Sequence, residues 1–174
     1  MKKEIILAGF GGQGVMSIGK NLVEAGVAEN LEASWVPSYG PEMRGGTANC
    51  TVILSDERIG SPLVEKPTEI IVMNRPSLAK FEGDVAPGGT VFINSSIVHD
   101  KVSRTDVKVV YVPCDDIAKE LGNPKVGNMV MLGAYVAATG VLKKETDGYC
   151  LYYTRENAKY YNPLDAIWLG EIDE

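Results

Sequence analysis

The feature that most constrains the fold of this chain is a glycine cluster between an apolar run and a helical pattern. Residues 4–8 form a short apolar run that is typical of a buried strand. Gly9, Gly11 and Gly14 follow with GxGxxG spacing, and apolar residues then recur at a helical period from Val15 to about Glu29. A strand, a glycine turn and a helix in this order predict the opening unit of an α/β domain.

The rest of the chain alternates short strand and helix patterns. We expect strands at 33–36, 47–54, 69–73, 90–94 and 108–112, a short antiparallel return at 58–60, and helices at 75–81, 115–121, 128–139 and 152–161. Helix 128–139 is apolar on nearly every side, which predicts burial in the core or at an interface. A length of 174 residues favours one domain, 1–174. The pattern predicts a three-layer α/β/α domain with a Rossmann-like, mostly parallel sheet that has an antiparallel portion.

Composition excludes several classes of protein. The net charge is -6 and no run rich in lysine or arginine occurs, which argues against a nucleic-acid partner. No apolar stretch approaches the roughly 20 residues of a membrane span. The first apolar run breaks at Gly9, too early for a secretory signal, so we expect a cytoplasmic protein. Cys50, Cys114 and Cys150 lack the spacing of zinc or iron–sulfur ligands, and we expect reduced thiols.

The glycine turn admits three interpretations. Free N–H groups at the start of a helix bind anions, which suits a dinucleotide or another phosphate-bearing ligand. A dinucleotide site also needs an acidic residue at the end of the second strand. Glu32 precedes that strand and Glu42 follows it in a loop, so this part of the pattern is incomplete. A partner segment, or a tight turn required only for packing, fits equally. The candidate binding residues are Gly9, Gly11, Gly12, Gln13 and Gly14.

A second loop, PSYGPEMRGG at 37–46, follows the predicted strand 33–36. That strand delivers the loop to the carboxyl edge of the sheet, where ligands of open α/β sheets bind. Arg44 has the geometry to hold a phosphate or carboxylate, and Glu42 can pair with it; a solvated loop with an ion pair is the alternative. Polar residues after strand 90–94 fall at the same edge, where they either line the crevice or cap the next segment. The candidates here are Tyr39, Glu42, Arg44, Gly45, Gly46, Asn94 and Ser95.

Several segments together resemble one protein family. The order and spacing are similar to those of the γ subunit of 2-oxoacid:ferredoxin oxidoreductases. The segments that carry this resemblance are GFGGQG at 9–14, SYGPEMRGG at 38–46, Cys50, Val52 and Ser55, IGSP at 59–62, Asn94-Ser95-Ser96, and the run from Asn128 to Ala134. The resemblance covers about residues 1–142, and the tail from Lys143 is not matched.

The resemblance implies a complex that oxidatively decarboxylates a 2-oxoacid, transfers the acyl group to coenzyme A and reduces ferredoxin. Thiamine diphosphate, magnesium and iron–sulfur clusters are then expected in partner subunits: α, β and a ferredoxin-like δ chain. This chain is expected to bind none of them alone and to contact coenzyme A or only its partners. We assign it no catalytic residue and no metal ligand. The substrate favoured is 2-oxoglutarate, with pyruvate, branched-chain and aryl 2-oxoacids open. The alternatives are a stand-alone NAD(P)-dependent oxidoreductase and a non-catalytic nucleotide- or coenzyme A-binding module.

Overall fold

The computed structural model of the chain describes residues 1–39 and 47–143. Its strands are β1 (Lys2–Phe10), β2 (Glu32–Tyr39), β3 (Thr47–Ser55), β4 (Glu69–Val72), β5 (Thr90–Asn94) and β6 (Lys108–Val112). Its α-helices are α1 (Val15–Ala28), α2 (Arg75–Phe81), α3 (Cys114–Glu120) and α4 (Gly127–Thr139). Two single turns of 3₁₀-helix lie at Glu82–Asp84 and Pro124–Val126.

The six strands form one sheet in the order β2-β3-β1-β4-β5-β6. Strands β1, β4, β5 and β6 are parallel neighbours, whereas β3 runs antiparallel to both β1 and β2. A short connection between adjacent strands requires an antiparallel return, and only the seven residues 40–46 join β2 to β3. The mostly parallel sheet with an antiparallel portion is confirmed.

Helices cover the two faces of the sheet separately. Side chains alternate along β1, so Ile5 and Leu7 point to one face and Ile6 to the other. The first face packs against α1, α3 and α4 in an apolar cluster that includes Phe92 and Tyr135, whose rings meet edge-on at 5.2 Å between centroids. The second face packs against α2 in a smaller cluster. The three predicted layers are therefore present.

The second cluster does not extend over the whole sheet. Among the described residues, its members come from β1, β4, β5, β6, α2 and the connecting segments, and none comes from β2 or β3. Toward the glycine turn, this second face of β2 and β3 carries exposed side chains such as Val36, Ser38 and Thr47, whereas Ile53 near the other end of β3 is buried. One part of the sheet is thus covered on both faces, and another part on only one.

Most predicted elements are confirmed within a few residues, and one is wrong. Residues 58–60 form no strand and lie in an irregular connection between β3 and β4. Strand β3 already pairs with β1 on one side and β2 on the other, so it has no free edge for an antiparallel return. The predicted helix 152–161 lies outside the described residues. Within the described part of the chain, no helix is long and apolar enough to span a bilayer.

Candidate functional site

The carboxyl end of β1 brings the glycine turn to one edge of the sheet, and the register of neighbouring strands shows what lies beside it. Phe10 at the end of β1 is opposite Thr47, the first residue of β3. The next residue of β3, Ala48, is opposite Tyr39 at the end of β2. Both anchors of segment 40–46 therefore lie at the same edge as the glycine turn. Four predicted site residues fall outside the described residues: Glu42, Arg44, Gly45 and Gly46.

Glycine is required in the turn for two physical reasons. A Cβ at Gly9 would lie 2.7 Å from Val15 Cγ2 and 3.0 Å from Met73 Cβ, so glycine permits close packing of turn, helix and β4. Gly12 and Gly14 adopt φ angles of 98° and 74°, which side-chain-bearing residues rarely adopt. Gly11 and Gly12 are exposed and present backbone to the surroundings.

Gln13 forms hydrogen bonds that connect the glycine turn to the end of the neighbouring strand β4. Its backbone N–H donates to Phe10 O at 3.1 Å, and its side-chain Oε1 accepts the Phe10 N–H at 2.7 Å. Its Nε2 donates to Met73 O at 2.8 Å, just beyond the end of β4. Both the oxygen and the nitrogen of the side-chain amide thus form hydrogen bonds within the chain. Direct contact of Gln13 with a ligand stays a prediction.

Asn74 continues this network into α2. Its Oδ1 accepts the Ser77 N–H at 2.9 Å and caps the helix, while its Nδ2 lies 3.5 Å from Gln13 Oε1. Asn74 is fully buried. Sequence reasoning missed this residue, although an asparagine directly before Arg75-Pro76 at the start of a predicted helix is an N-cap signal.

Within the part of the chain that the structure describes, the first backbone donors of α1 have no hydrogen-bond acceptor. Gly14 occupies the N-cap position without a side chain, and the first turn contains no acidic residue. The first hydrogen bond of the helix is from Ile18 N–H to Gly14 O at 3.1 Å, which leaves the N–H groups of Val15, Met16 and Ser17 without helical acceptors. This end of α1 therefore has the polarity and the donors of an anion-binding site.

Asn128 packs against the glycine turn from α4. A Cβ on Gly14 would lie 2.6 Å from Asn128 Cγ, and Asn128 Nδ2 lies 3.5 Å from Gly14 O. Asn128, the first residue of the predicted helix 128–139, is not the N-cap of α4, because α4 begins at Gly127 and Val126 occupies its N-cap position. The side chain instead reaches across to α1, a contact that depends on the tertiary arrangement of two helices distant in sequence.

Asn94 and Ser95 lie at the same edge, two strands from β1. Asn94 is fully buried, donates to Asp115 Oδ2 at 2.7 Å and accepts the Ser96 N–H at 3.3 Å. The Ser95 N–H donates to Val112 O at 2.9 Å. These contacts tie the end of β5 to β6 and α3, which favours the capping interpretation over the ligand interpretation for Asn94.

The thiols of the described residues are buried and neutral. Burial raises the pKa of Cys50 to about 11, an effect partly offset by the nearby Trp35 indole N–H. Burial, reinforced by the charge of Asp115, raises the pKa of Cys114. Such thiols are poor nucleophiles, because the thiolate is the reactive form. His99 is exposed, and the described residues contain no group of three or more potential metal ligands.

Comparison with known proteins agrees with this architecture. The family model described as pyruvate ferredoxin/flavodoxin oxidoreductase matches residues 4–148. The chain is 40% identical over 149 residues to the 2-oxoglutarate synthase subunit KorC of Methanocaldococcus jannaschii, covering 84% of this chain and 80% of KorC. It is 44% identical over 131 residues to the ketoisovalerate oxidoreductase subunit VorA of Methanothermobacter marburgensis. That match covers 75% of this chain but spans only 27% of the length of VorA.

Two solved structures share the fold. The γ subunit of a keto/oxoacid ferredoxin oxidoreductase from Geobacter sulfurreducens has a TM-score of 0.73 and 29% identity, covering 86% of this chain and 84% of that one. The 2-oxoglutarate:ferredoxin oxidoreductase from Magnetococcus marinus, with 2-oxoglutarate, coenzyme A and succinyl-CoA bound, has a TM-score of 0.82 and 22% identity, covering 95% of this chain and 29% of that one. The glycine turn, the mixed sheet and the match over residues 4–148 establish that this chain belongs to the pyruvate ferredoxin/flavodoxin oxidoreductase family.

Proposed function

We propose that this chain is the separate γ subunit of a thiamine diphosphate-dependent 2-oxoacid:ferredoxin oxidoreductase, with 2-oxoglutarate as the favoured substrate. The observation that carries the proposal is the similarity to KorC, which extends over most of both chains. The complex oxidatively decarboxylates the 2-oxoacid, forms the acyl-CoA and reduces ferredoxin. Its α, β and ferredoxin-like δ subunits hold thiamine diphosphate, magnesium and the iron–sulfur clusters.

Within such a complex, the chain serves as a binding subunit. The start of α1 offers the N–H groups of Val15, Met16 and Ser17 to an anion, with no acidic side chain in that turn to repel it. Coenzyme A carries phosphate groups and suits such a site. Gln13 ties the glycine turn to Met73 O, and Asn128 contacts it from α4. Binding of coenzyme A therefore requires little rearrangement of the turn. Its neighbours at this edge are the two anchors of segment 40–46, which contains Arg44.

Reconstitution tests the proposed activity. The α, β and δ chains are expressed with and without this chain, and 2-oxoglutarate- and coenzyme A-dependent reduction of ferredoxin is followed spectroscopically. We expect turnover by the full set and none by this chain alone. Oxidation of a 2-oxoacid by the isolated chain would contradict the assignment as a binding subunit.

A charge introduced at the start of α1 tests the coenzyme A contact. Ser17 is exposed in the first turn of α1. A glutamate there stabilises the helix through its interaction with the helix dipole, but it repels a phosphate. We expect Ser17→Glu to raise the KM for coenzyme A by about tenfold, corresponding to about 1.4 kcal/mol, with the KM for the 2-oxoacid unchanged. Lys20→Gln is the control, since it also lowers the net charge by one unit and lies at an exposed position of the same helix beyond its first turn. Equal KM values for coenzyme A in both variants would remove the helix start from the ligand site.

A further inference from the structure

Strand β2 forms one edge of the sheet and has few of the features that protect such an edge. It is eight residues long and pairs only with β3. Its first residue, Glu32, is charged, but no charged residue occurs between Ala33 and Tyr39. Natural proteins protect a long edge strand with charges, prolines, bulges or a covering segment. Pro37 removes only one N–H donor of β2, so the rest of this edge calls for a covering segment.

The second face of the sheet is also unprotected near the glycine turn. Residues that alternate along a strand with members of the first-face cluster point to this second face. We call the part of it nearest the glycine turn the open face; it consists of Phe10, Val36, Ser38, Thr47, Asn49 and Thr51. Val36 is 39% exposed and Phe10 is 37% exposed. None of the six side chains is charged, and together they present apolar surface beside hydroxyl and amide groups.

The other end of the same face is already covered. Ile53 of β3 lies opposite Ser34 of β2 and points to the same side as Thr51, yet it is fully buried. Ile53 belongs to neither apolar cluster of the described residues, so the cover that α2 provides over β4 and β5 does not extend to it. Cover on this face is therefore present near the start of β2 and stops short of Val36.

The described part of the chain ends beside the start of β2. After α4 the chain is held at the end of α1, where the Lys143 N–H donates to Glu29 Oε1 at 2.6 Å. Glu29 lies just before Glu32, the first residue of β2. Residues 144–174 follow Lys143. Because β2 is an edge strand, these residues can pass from the α1 layer round it to the open face without crossing the sheet.

Residues 149–153 have a composition that suits the open face. They read Tyr-Cys-Leu-Tyr-Tyr, an uncharged run that lies beyond the residues matched by the family model. Tyrosine combines an apolar ring with a hydroxyl group, which fits a surface of valine, phenylalanine, serine, threonine and asparagine side chains. Between Lys143 and Tyr149 the chain can span about 20 Å, whereas packed layers of a domain are about 10 Å apart. The run is therefore within reach of the open face.

We propose that residues 149–153 of this chain dock on the open face and cover the outer edge of β2. The docked segment starts beside the buried Ile53 and extends toward the glycine turn. It shields the uncharged edge from pairing with a second copy of this chain, which is the competing occupant. The proposal concerns contacts within one chain and does not depend on the proposed function.

Photo-cross-linking of the full chain identifies the occupant. A benzoylphenylalanine replaces Ser38 on the open face or, as the control, Lys20 on α1, and isotope-labelled and unlabelled chains are mixed before irradiation. We expect an adduct within one chain from position 38 to the peptide that contains residues 149–153, and none from position 20 to that peptide. Adducts between two chains from position 38, or no adduct from it to this peptide, would overturn the proposal.

Hydrogen exchange, measured by NMR, tests the same contact without a cross-linker. Leu151→Lys places a charge in the docked run, and Ala158→Lys places the same charge outside it. We expect Leu151→Lys to speed exchange of the β2 amides that face away from β3 by at least about tenfold, because burial of an unpaired charge opposes docking. Ala158→Lys should change these rates by less than about twofold.

Circular dichroism and the exchange rates of α4 check that both variants fold. Exchange at the outer edge of β2 that is equally fast in Leu151→Lys and in the unmodified chain would contradict docking of this run.

Discussion

The two parts of the sheet differ in how many of their faces are covered. Around β4 and β5 both faces are covered, and residues such as Ile70, Ile71 and Phe92 are fully buried. On β2, and on β3 from Thr47 to Thr51, the face toward α1 is covered and the other face carries exposed residues such as Val36. Burial of apolar area supplies most of the stability of a domain. The covered part is therefore expected to contribute more to the stability of the fold than the open part.

The largest expected change in the free energy of unfolding is at a buried residue, and an exposed residue serves as its comparison. We expect Phe92→Ala to lower the free energy of unfolding by about 3–5 kcal/mol, because it leaves a cavity against Tyr135. Val36→Ala, at an exposed position of β2, should change it by less than about 0.5 kcal/mol. Urea unfolding followed by circular dichroism measures both changes. Similar decreases in the free energy of unfolding of the two variants would show that the covered and open parts contribute equally to stability.

The next largest decrease in stability is expected for a substitution in the glycine turn. We expect Gly14→Ala to cost about 2–4 kcal/mol, because its φ of 74° disfavours a side chain and the new Cβ meets Asn128. Gly83→Ala is the control, since a Cβ at Gly83 has no atom within 4 Å and its φ is not positive. In a double variant, Asn128→Ala should restore the part of the loss caused by the clash but not the part caused by φ. Thermal or urea unfolding of these three variants, and of Asn128→Ala alone, separates the two causes.

Gln13 is expected to have a smaller effect. Gln13→Ala removes the side-chain contacts to Phe10 N and Met73 O and should cost about 1–3 kcal/mol. Gln13→Glu retains an acceptor for Phe10 but places a carboxylate against the Met73 carbonyl, which raises the pKa of the introduced carboxyl. A group with a raised pKa stabilises the fold below its unfolded pKa, about 4.3 for glutamate, and loses this effect as the pH rises. The stability deficit of Gln13→Glu should therefore shrink as the pH falls toward 4.

The smallest predicted difference concerns local opening. In a Cys150→Ser background, Cys50 of β3 and Cys114 of α3 should both react slowly with a thiol reagent at neutral pH, because both are buried with raised pKa values. We expect Cys50 to react somewhat faster, since its strand β3 is next to the edge strand β2, and this side of the sheet should open at lower free energy. Peptide mass mapping of the labelled protein at successive times measures the two rates. Faster reaction of Cys114 would contradict this ranking.

The sequence predicts most of the secondary structure because buried strands appear as short apolar runs between glycine and proline signals. Strand β2 is longer than its predicted range, 33–36, because its polar ends and Pro37 are held in place by pairing with β3. The glycine turn at 9–14 was also predictable, since its residues and their order are local. The contacts of Asn128 with Gly14 and of Gln13 with Met73 join residues far apart in the chain, and no local pattern encodes them.

The most direct test of the account measures how activity depends on the concentration of this chain. The chain is titrated into purified α, β and δ subunits, and 2-oxoglutarate-dependent ferredoxin reduction is recorded at each concentration. We predict that activity rises from near zero to a plateau as the chain is added. Full activity without this chain, or no rise when it is added, would contradict its proposed role as a subunit of the complex.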